Sequence, residues 1–159
     1  MKHIDRLTII LAGSLVLILL ISAVSYLIWG NRMEQQVIFF PTHQTLEMQG
    51  ESRILPRKRT RELEIELLVK EIILGPFGID YTPVIPEDSR IRSIMLRDDT
   101  LYLDFSIDIV FPEASSSLSL EESMEYITRS VQFNFPDVKK IIYTVNGNQL
   151  KVSSAIMTE

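Results

Sequence analysis

The feature that most constrains this chain is an uncharged apolar segment near its N-terminus, from Leu7 to Trp29. As a helix these residues would extend about 34 Å, enough to cross a hydrocarbon layer of roughly 30 Å. Leucine, isoleucine and valine predominate, and the few hydroxyl side chains can bond back to helix carbonyls. Trp29 lies at the far end, where it suits the level of the lipid headgroups. The segment therefore predicts a single membrane-spanning helix that serves as a permanent anchor.

Two other interpretations of this segment are weaker. A cleaved signal peptide has an apolar region of about 7–15 residues, shorter than this one, with cleavage expected near Ala23 or Ser25. A buried core helix would carry a polar stripe along one face, and this segment has none. A lipid anchor on an N-terminal cysteine is excluded, because the 159 residues contain no cysteine.

The charges that flank the segment favour a cytoplasmic N-terminus. Lys2 and Arg6 precede the span, whereas Arg32 follows it with Glu34 nearby. The positive-inside tendency then places the short tail in the cytoplasm and residues 30–159 outside it. We therefore expect a single-pass protein of the cell membrane with an extracytoplasmic domain. The opposite orientation would make the domain a cytoplasmic tether.

Composition narrows the functional classes. The net charge of −5 and the isoelectric point of about 5.1 argue against general nucleic-acid binding. The lack of cysteine excludes disulfides and thiolate metal sites. Beyond the span, about 125 residues remain, which is enough for one domain with its own hydrophobic core.

Turn residues and apolar periodicity divide the chain into five segments. They are a tail over residues 1–6, the transmembrane helix over 7–29, a linker over 30–35, one α+β domain over 36–152 and a tail over 153–159. The domain is predicted in the order strand, helix, strand, strand, helix, strand. This is the split βαβ plan, which gives a small, mostly antiparallel sheet with both helices on one face.

Short apolar runs bounded by turn residues predict the strands of the domain. They cover residues 36–40, 90–97, 101–106, 139–145 and 149–152. Asn146-Gly147 is a hairpin signal between the last two strands. Residues 42–56 have no sustained period and predict extended chain that can hold one short edge strand.

Two amphipathic helices are predicted between these strands. The first runs from Arg61 to Leu74, with Thr60 as its N-cap and Gly75-Pro76 as its end. The second runs from Leu120 to about Asn134 and begins with the capping-box pattern S-x-x-E.

Each predicted helix also carries large apolar side chains away from its core face. These side chains are Leu63, Leu67 and Leu74 on the first helix and Tyr126 and Phe133 on the second. A helix that covers one face of a sheet needs no second apolar stripe, so these five residues form the candidate interface for a protein partner or a second copy. The competing interpretation is that residues 42–56 and 77–89 cover the stripes and make them ordinary core.

One basic run, Arg57, Lys58, Arg59 and Arg61, precedes the first helix. Positive charge at a helix N-terminus is mildly unfavourable, which indicates an external contact with an acidic partner or with lipid headgroups. The alternative is that these side chains are simply solvated at the approach to the helix.

No group of residues predicts catalysis, a cofactor or a metal. His43 is the one histidine of the domain, and it lacks the strand–turn–helix setting of a nucleophile elbow. One histidine without cysteine supplies a transition-metal site poorly. The acid pairs at 87–88 and 98–99 are typical turn formers, although two such carboxylates can also act on a sugar. We expect Asp104 to be structural and to accept backbone N–H bonds.

Four short motifs, in order and in spacing, resemble the GerMN domain of sporulation and spore germination proteins. The motifs are Leu74-Gly75-Pro76, Ile85-Pro86-Glu87, the strand Leu101 to Ser106, and Phe135-Pro136-Asp137-Val138 leading into Ile141 to Gly147. The resemblance covers about residues 36–150. The chain departs from the family at its hairpin turn Asp98-Asp99-Thr100, in carrying one copy of the domain, and in having a helix where a lipidated cysteine is common.

The resemblance implies an envelope module without known catalysis, similar in fold to ring-building domains of secretion and sporulation channels that associate side by side. We therefore expect a non-enzymatic, membrane-anchored protein whose domain binds another protein or itself. The alternative is a module that binds, or less plausibly hydrolyses, cell-wall glycan through its acidic loops and the aromatic residues Tyr102, Tyr126 and Phe133. Peptidoglycan is then the partner instead of a protein.

Overall fold

A computed structural model describes residues 6–29, 33–45, 47–111 and 118–150. It divides the chain into two compact units, Met1–Glu34 and Gln35–Glu159. Of the predicted tail over residues 1–6 and linker over 30–35, residues 1–5 and 30–32 lie outside the described residues, as does the whole tail over 153–159. Arg6 belongs to the first helix and residues 33–35 to the first strand.

The first unit contains one long helix, α1 (Arg6–Trp29). Its residues from Thr8 to Tyr26 are apolar enough, and numerous enough, to cross a membrane, a test that a signal sequence near an N-terminus also meets. The side chains of this stretch are all exposed within the unit. The hydroxyl of Ser14 donates to the carbonyl of Leu11 at 2.9 Å, which satisfies a polar group in an apolar helix.

The remaining elements mix helices and strands, and the predicted α+β class is confirmed. In chain order they are β1 (Met33–Pro41), β2 (Met48–Pro56), α2 (Arg61–Ile73), β3 (Ile91–Arg97), β4 (Thr100–Phe105), a 3₁₀ turn (Ile107–Val110), α3 (Leu120–Asn134), β5 (Lys140–Val145) and β6 (Asn148–Gln149). Both predicted helices occur within one residue of their expected ends.

The described strands form two sheets, where the sequence predicted one. β1 pairs with β2, and a second sheet has the order β3-β4-β5-β6. In the second sheet β3–β4 and β5–β6 are antiparallel, whereas β4 and β5 are parallel, with Thr100 opposite Lys140 and Phe105 opposite Val145. The difference arises because β2, which was expected to be short, has nine residues and gives β1 a partner outside the larger sheet.

The hydrophobic core lies on one face of the four-stranded sheet. On β4, Leu101, Leu103 and Phe105 are buried, whereas the alternate residues Tyr102 and Asp104 are partly exposed. The helices contribute the buried side chains Ile65, Leu68, Val69, Ile72, Met124, Ile127 and Val131. One face of the sheet is therefore covered and the other remains accessible, as the alternation predicted.

Helix caps and turns follow the sequence signals. The hydroxyl of Ser119 accepts the Glu122 N–H at 3.3 Å, and the Glu122 carboxylate accepts the Ser119 N–H at 2.7 Å, so the capping box is confirmed. The bond from the Ser119 N–H first, and then a bond that the Ser119 hydroxyl donates to Glu122 Oε2 at 2.8 Å, lower the pKa of Glu122 below its usual value. Gly75 has φ of +82° after α2, and Asn146 and Gly147 both have positive φ, as a type I′ hairpin requires.

Candidate interaction surface

A buried arginine on β2, Arg53, organises the chain that follows α2. Its side chain is 2% exposed, and its guanidinium makes five hydrogen bonds, one for each N–H. Two reach Glu51 Oε1 at 2.8 and 2.7 Å, two reach the Oε2 and backbone oxygen of Glu71 at 2.9 and 3.0 Å, and one reaches the Gly75 carbonyl at 2.6 Å. The two carboxylates neutralise a cation that would otherwise be costly to bury.

The Glu51–Arg53 pair also fixes the segment from Leu74 to Ile79, which we call the Phe77 loop. Glu51 Oε2 accepts the backbone N–H groups of Phe77 and Gly78 at 3.0 and 3.1 Å. The guanidinium carbon of Arg53 lies 3.9 Å from the centroid of the Phe77 ring, a cation–π contact. Glu51 therefore holds the backbone of this loop in place, and Arg53 holds its aromatic ring.

The Phe77 loop nevertheless turns its largest apolar side chains to solvent. Leu74 is 70% exposed, Phe77 77% and Ile79 90%. Single exposed apolar side chains are normal, but three within six residues on a fixed backbone form the kind of patch that marks interaction sites. The ordering of this loop before any partner binds also lowers the entropy lost on binding.

The candidate interface predicted from sequence is only partly exposed. Leu63 is 45% exposed and Leu74 is exposed as part of the Phe77 loop, whereas Leu67 is half-buried and packs against the core. Phe133 is 55% exposed, and its ring contacts Phe39 of β1 edge-on with centroids 5.3 Å apart.

The prediction that Tyr126 is exposed was wrong, because the side chain is buried at 7% exposure. β1 runs along the side of α3 that carries Ser130 and Asn134, four and eight residues after Tyr126. The sequence did not indicate that a second sheet covers this side of the helix. Burial raises the pKa of the Tyr126 phenol, and the nearby carboxylates of Glu122 and Glu125 raise it further.

The basic run divides into different roles. Arg57, Lys58, Arg59 and Arg61 are all exposed. Arg61 pairs with Glu64 at 3.2 Å and with Asp137 at 3.4 Å, so it ties the start of α2 to the turn before β5. Its guanidinium also lies 5.2 Å from the centroid of the Phe135 ring. Arg61 therefore has internal partners that account for it without an external acidic contact.

Asp104 lies on the accessible face of the larger sheet and holds the β5–β6 hairpin. Its Oδ1 accepts the Thr144 hydroxyl at 2.6 Å and the Gly147 N–H at 2.9 Å, which confirms that it accepts a backbone bond. Arg92 lies 3.7 Å from Oδ2 and donates to Asn146 Oδ1 at 2.6 Å. The Thr144 hydroxyl first, then the Gly147 N–H and the Arg92 charge, hold the pKa of Asp104 below its usual value.

Asp88, one of the acids weighed for catalysis, lines an open depression together with Asp108, whereas His43 has a different partner. The Nδ1 atom of His43 lies 2.9 Å from the Thr82 hydroxyl, on an exposed turn. In the parts of the chain that the structure describes, no group of three or more His, Cys, Asp or Glu side chains could hold a metal. An open depression of about 560 Å³ near the start of β3 is lined by Asp88, Arg90, Ile91, Arg92, Ser106, Asp108 and Asn146.

Sequence reasoning missed the Phe77 loop and the arginine beneath it. Glu51 and Arg53 are two residues apart, so on a strand they lie on one face, but residues 42–56 showed no period that would place a strand there. The exposed pair Phe77 and Ile79 flanks Gly78 in the long connection after α2, where apolar residues gave no sign of which way they point.

A family profile and a named relative both match this chain in sequence. The family profile described as "Germane: Sporulation and spore germination" matches residues 37–151. A protein of Treponema pallidum (strain Nichols) named "Uncharacterized lipoprotein" is 31% identical over 96 residues, which cover 60% of this chain and 71% of that protein.

Solved structures give the same fold. The first GerMN domain of the sporulation protein GerM from Bacillus subtilis matches with a TM-score of 0.51 and 19% identity, over 74% of this chain and 86% of that one. The tandem GerMN domains of the same protein match with a TM-score of 0.52 and 19% identity, over 75% of this chain and 41% of that one. At this identity the likeness bears on the fold alone.

Proposed function

Because this chain belongs to the Germane family of sporulation and spore germination proteins, we propose that it is a membrane-anchored envelope module that works by binding another protein. The anchor is α1, which is long and apolar enough to span a membrane. The Treponema pallidum relative carries the name of a lipoprotein, and this chain has no cysteine to receive a lipid, so a helix takes over the attachment. The domain lies outside the cytoplasm.

The observation that carries the proposal is the Phe77 loop. Its backbone is fixed by Glu51 and its ring is stacked on Arg53, yet Ile79 is 90% exposed. Large apolar side chains that stay exposed on an ordered backbone gain no stability from folding, and such patches mark surfaces that a partner covers. Leu63 lies four residues before Leu67 on α2, and Leu74, the C-cap, lies four residues after Lys70. These spacings place Leu63 and Leu74 on one stripe, which extends the same surface along the helix.

Site-specific crosslinking tests this surface in the full-length protein in its native membrane. A photo-crosslinking phenylalanine analogue replaces Ile79, and in a matched control it replaces Phe111, which is 66% exposed on a different segment. We expect one discrete crosslinked protein from position 79 and none from position 111. Leu74→Asp should abolish the crosslink while leaving the thermal unfolding midpoint unchanged, because this side chain is 70% exposed.

Two results would contradict the proposal. One is a crosslink from position 79 that is no stronger than that from position 111, and the other is a crosslink from position 79 that persists undiminished in the Leu74→Asp protein. The orientation is tested separately by fusing alkaline phosphatase or a fluorescent protein after Glu159. An active phosphatase and a dark fluorescent fusion support an extracytoplasmic domain, and the reverse pair overturns it.

A second candidate function is cell-wall glycan binding. It is favoured by the open, polar depression near β3 and by Tyr102, which is 37% exposed on the accessible face of the sheet. Aromatic rings and paired polar groups are the usual means of binding sugars at a shallow surface. Retention of the full-length protein on purified peptidoglycan at low salt would support this function, and loss of retention in Tyr102→Ala would locate it. Absence of retention removes it.

A further inference from the structure

An open groove lies between the end of α2 and the start of β3. It has a volume of about 420 Å³ and is lined by Lys70, Ile73, Leu74, Ser89, Arg90 and Ile91. Its walls are mostly apolar, and the two long cationic side chains, Lys70 and Arg90, are exposed at its sides. Leu74 belongs both to this groove and to the Phe77 loop, so the two surfaces are continuous.

The groove contains a buried hydroxyl that the protein itself does not use. Ser89 is 3% exposed, and its Oγ has no hydrogen-bond partner among the described residues. Its backbone N–H is satisfied by the Pro86 carbonyl at 3.0 Å, so the side chain is not needed to hold the turn. A buried hydroxyl without a partner costs about 1–3 kcal/mol, a penalty that a bound polar group would remove.

β3, which borders the groove, is the outermost strand of its sheet. β4 pairs with one side of it, and no described strand pairs with the other. The strand has a β-bulge at Arg92, since Ile91 lies opposite Phe105 and Ser93 lies opposite Asp104. Beyond the bulge, residues 93–97 pair regularly with β4, and their outer backbone groups can accept another strand.

The same edge is cationic. Residues 90–97 include Arg90, Arg92 and Arg97 and no acidic residue. Arg92 is engaged by Asp104 and Asn146, whereas Arg90 and Arg97 form no ion pair with any residue that the structure describes. Both are exposed, and the exposed carboxylates of Glu87, Asp88, Asp98 and Asp99 adjoin the strand at its two ends, so the positive charge is confined to β3 itself.

We propose that this groove and edge bind an extended acidic peptide segment of a partner protein, which adds as a strand beside β3. Backbone bonds to β3 supply affinity, and an apolar side chain of the segment enters the groove between Leu74 and Ile91. Ser89 Oγ bonds the segment's backbone, and Arg90 and Arg97 pair with its carboxylates. This inference rests on the proposed protein-binding function and names the chemistry of the partner. The alternative is that the arginines only protect an exposed edge from aggregation.

Synthetic peptides test the inference with the full-length protein in phosphatidylcholine nanodiscs. One probe is a fluorescent heptapeptide of alternating glutamate and valine, and the other has lysine in place of every glutamate. Fluorescence anisotropy should show binding of the glutamate peptide that is about tenfold tighter than that of the lysine peptide. The double variant Arg90→Glu, Arg97→Glu should lose about tenfold in affinity for the glutamate peptide, whereas the control Arg59→Glu, on the loop before α2, should not.

Ser89→Ala separates a binding role from a structural one. It removes an unpaired buried hydroxyl, so it should keep or raise the thermal midpoint while weakening the glutamate peptide about fivefold. A serine with no part in binding would leave the affinity unchanged. The inference is overturned if the two peptides bind alike, if neither binds below ~1 mM, or if the Arg90→Glu, Arg97→Glu protein binds as the unaltered protein does. In those cases, a crosslink that still forms from position 79 shows that the proposed protein-binding function holds without this peptide site. If that crosslink is also absent, both the proposed function and the peptide site are wrong.

Discussion

Asn134 on α3 binds both backbone polar groups of Val37 on β1. Its Oδ1 accepts the Val37 N–H at 2.9 Å, and its Nδ2 donates to the Val37 carbonyl at 2.6 Å. Two residues along the strand, Ser130 Oγ accepts the Phe39 N–H at 3.0 Å. The side chains of a helix therefore occupy the side of β1 that faces away from β2, where another strand would otherwise pair.

Asn134→Ala should therefore lower the free energy of unfolding by about 1–3 kcal/mol, because it leaves two part-buried backbone groups without partners. Hydrogen exchange at the Val37 amide should accelerate more than at other amides of β1. Urea unfolding and exchange mass spectrometry measure the two effects. The exposed neighbour variant Glu125→Ala is the control, and equal effects from both variants would show that the Asn134 contact contributes nothing.

The substitution Arg53→Lys keeps the positive charge but replaces the five N–H donors of the planar guanidinium with the three of an ammonium group. An ammonium cannot reach Glu51, Glu71 and the Gly75 carbonyl together, so we expect a loss of about 3 kcal/mol in stability. The amides of Phe77 and Gly78 should exchange faster, since Glu51 loses its anchor. Arg59→Lys, an exposed arginine on the neighbouring loop, should change neither quantity. Unaltered protection of the Phe77 loop in Arg53→Lys would contradict the bracing role.

The Asp104 carboxylate predicts an acid-dependent loss of stability. Because its folded pKa is lower than that of the unfolded chain, its contribution is present above about pH 4 and is lost as the pH falls through the folded value. Asp104→Asn can still accept from Thr144 and Gly147 but cannot ionise. Its unfolding free energy, measured by urea titration from pH 7 downwards, should fall less steeply below pH 4 than that of the unaltered protein. If the unfolding free energies of the two proteins fall equally steeply below pH 4, Asp104 does not contribute to the loss of stability in acid.

The buried phenol of Tyr143 should make the folded protein less stable as the pH rises into the alkaline range. Its phenol is buried beneath α3, bonded to the Thr128 hydroxyl at 2.8 Å and to the Met124 carbonyl at 3.2 Å, and burial raises its pKa well above the usual value. Above about pH 10 the unfolded chain ionises there and the folded chain does not, so stability falls as the pH rises. Tyr143→Phe should cost about 1 kcal/mol at pH 7 and flatten the decline above pH 10. An unchanged alkaline slope would assign that decline to other groups.

The two leucines at the start of the α2 stripe should respond differently to charge. Leu67 packs against the core, so Leu67→Asp should lower stability by about 2 kcal/mol or more. Leu63 is 45% exposed, and Leu63→Asp should leave the urea midpoint nearly unchanged while weakening any crosslink made from position 79. Equal destabilisation by both substitutions would mean that the stripe is ordinary core.

Features set by local residues were predictable from the sequence. The capping box at Ser119 and Glu122, the helix end at Gly75 and the positive φ angles of Asn146 and Gly147 each depend on a few neighbouring residues. The fold class followed from the alternation of apolar patterns.

Features set by contacts distant in sequence were not predictable. The burial of Tyr126 depends on β1, about 90 residues earlier, whose position along α3 is fixed by side-chain bonds. Nothing in the sequence indicated that Arg53 is buried, because its four acceptor atoms come from its own strand, from α2 and from the loop beyond. A single sequence shows whether each residue is polar or charged, but it does not show which distant residue will pair with it.

The parallel register of β4 and β5 has a consequence for how the protein is made. Thr100 pairs with Lys140 and Phe105 with Val145, so each pair joins residues 40 positions apart. A ribosome that adds about 5–20 residues per second needs several seconds to supply the second member of each pair. Throughout that interval the backbone edge of β4 that pairs with β5 has no partner strand, so this part of the sheet cannot close before Val145 has been synthesised.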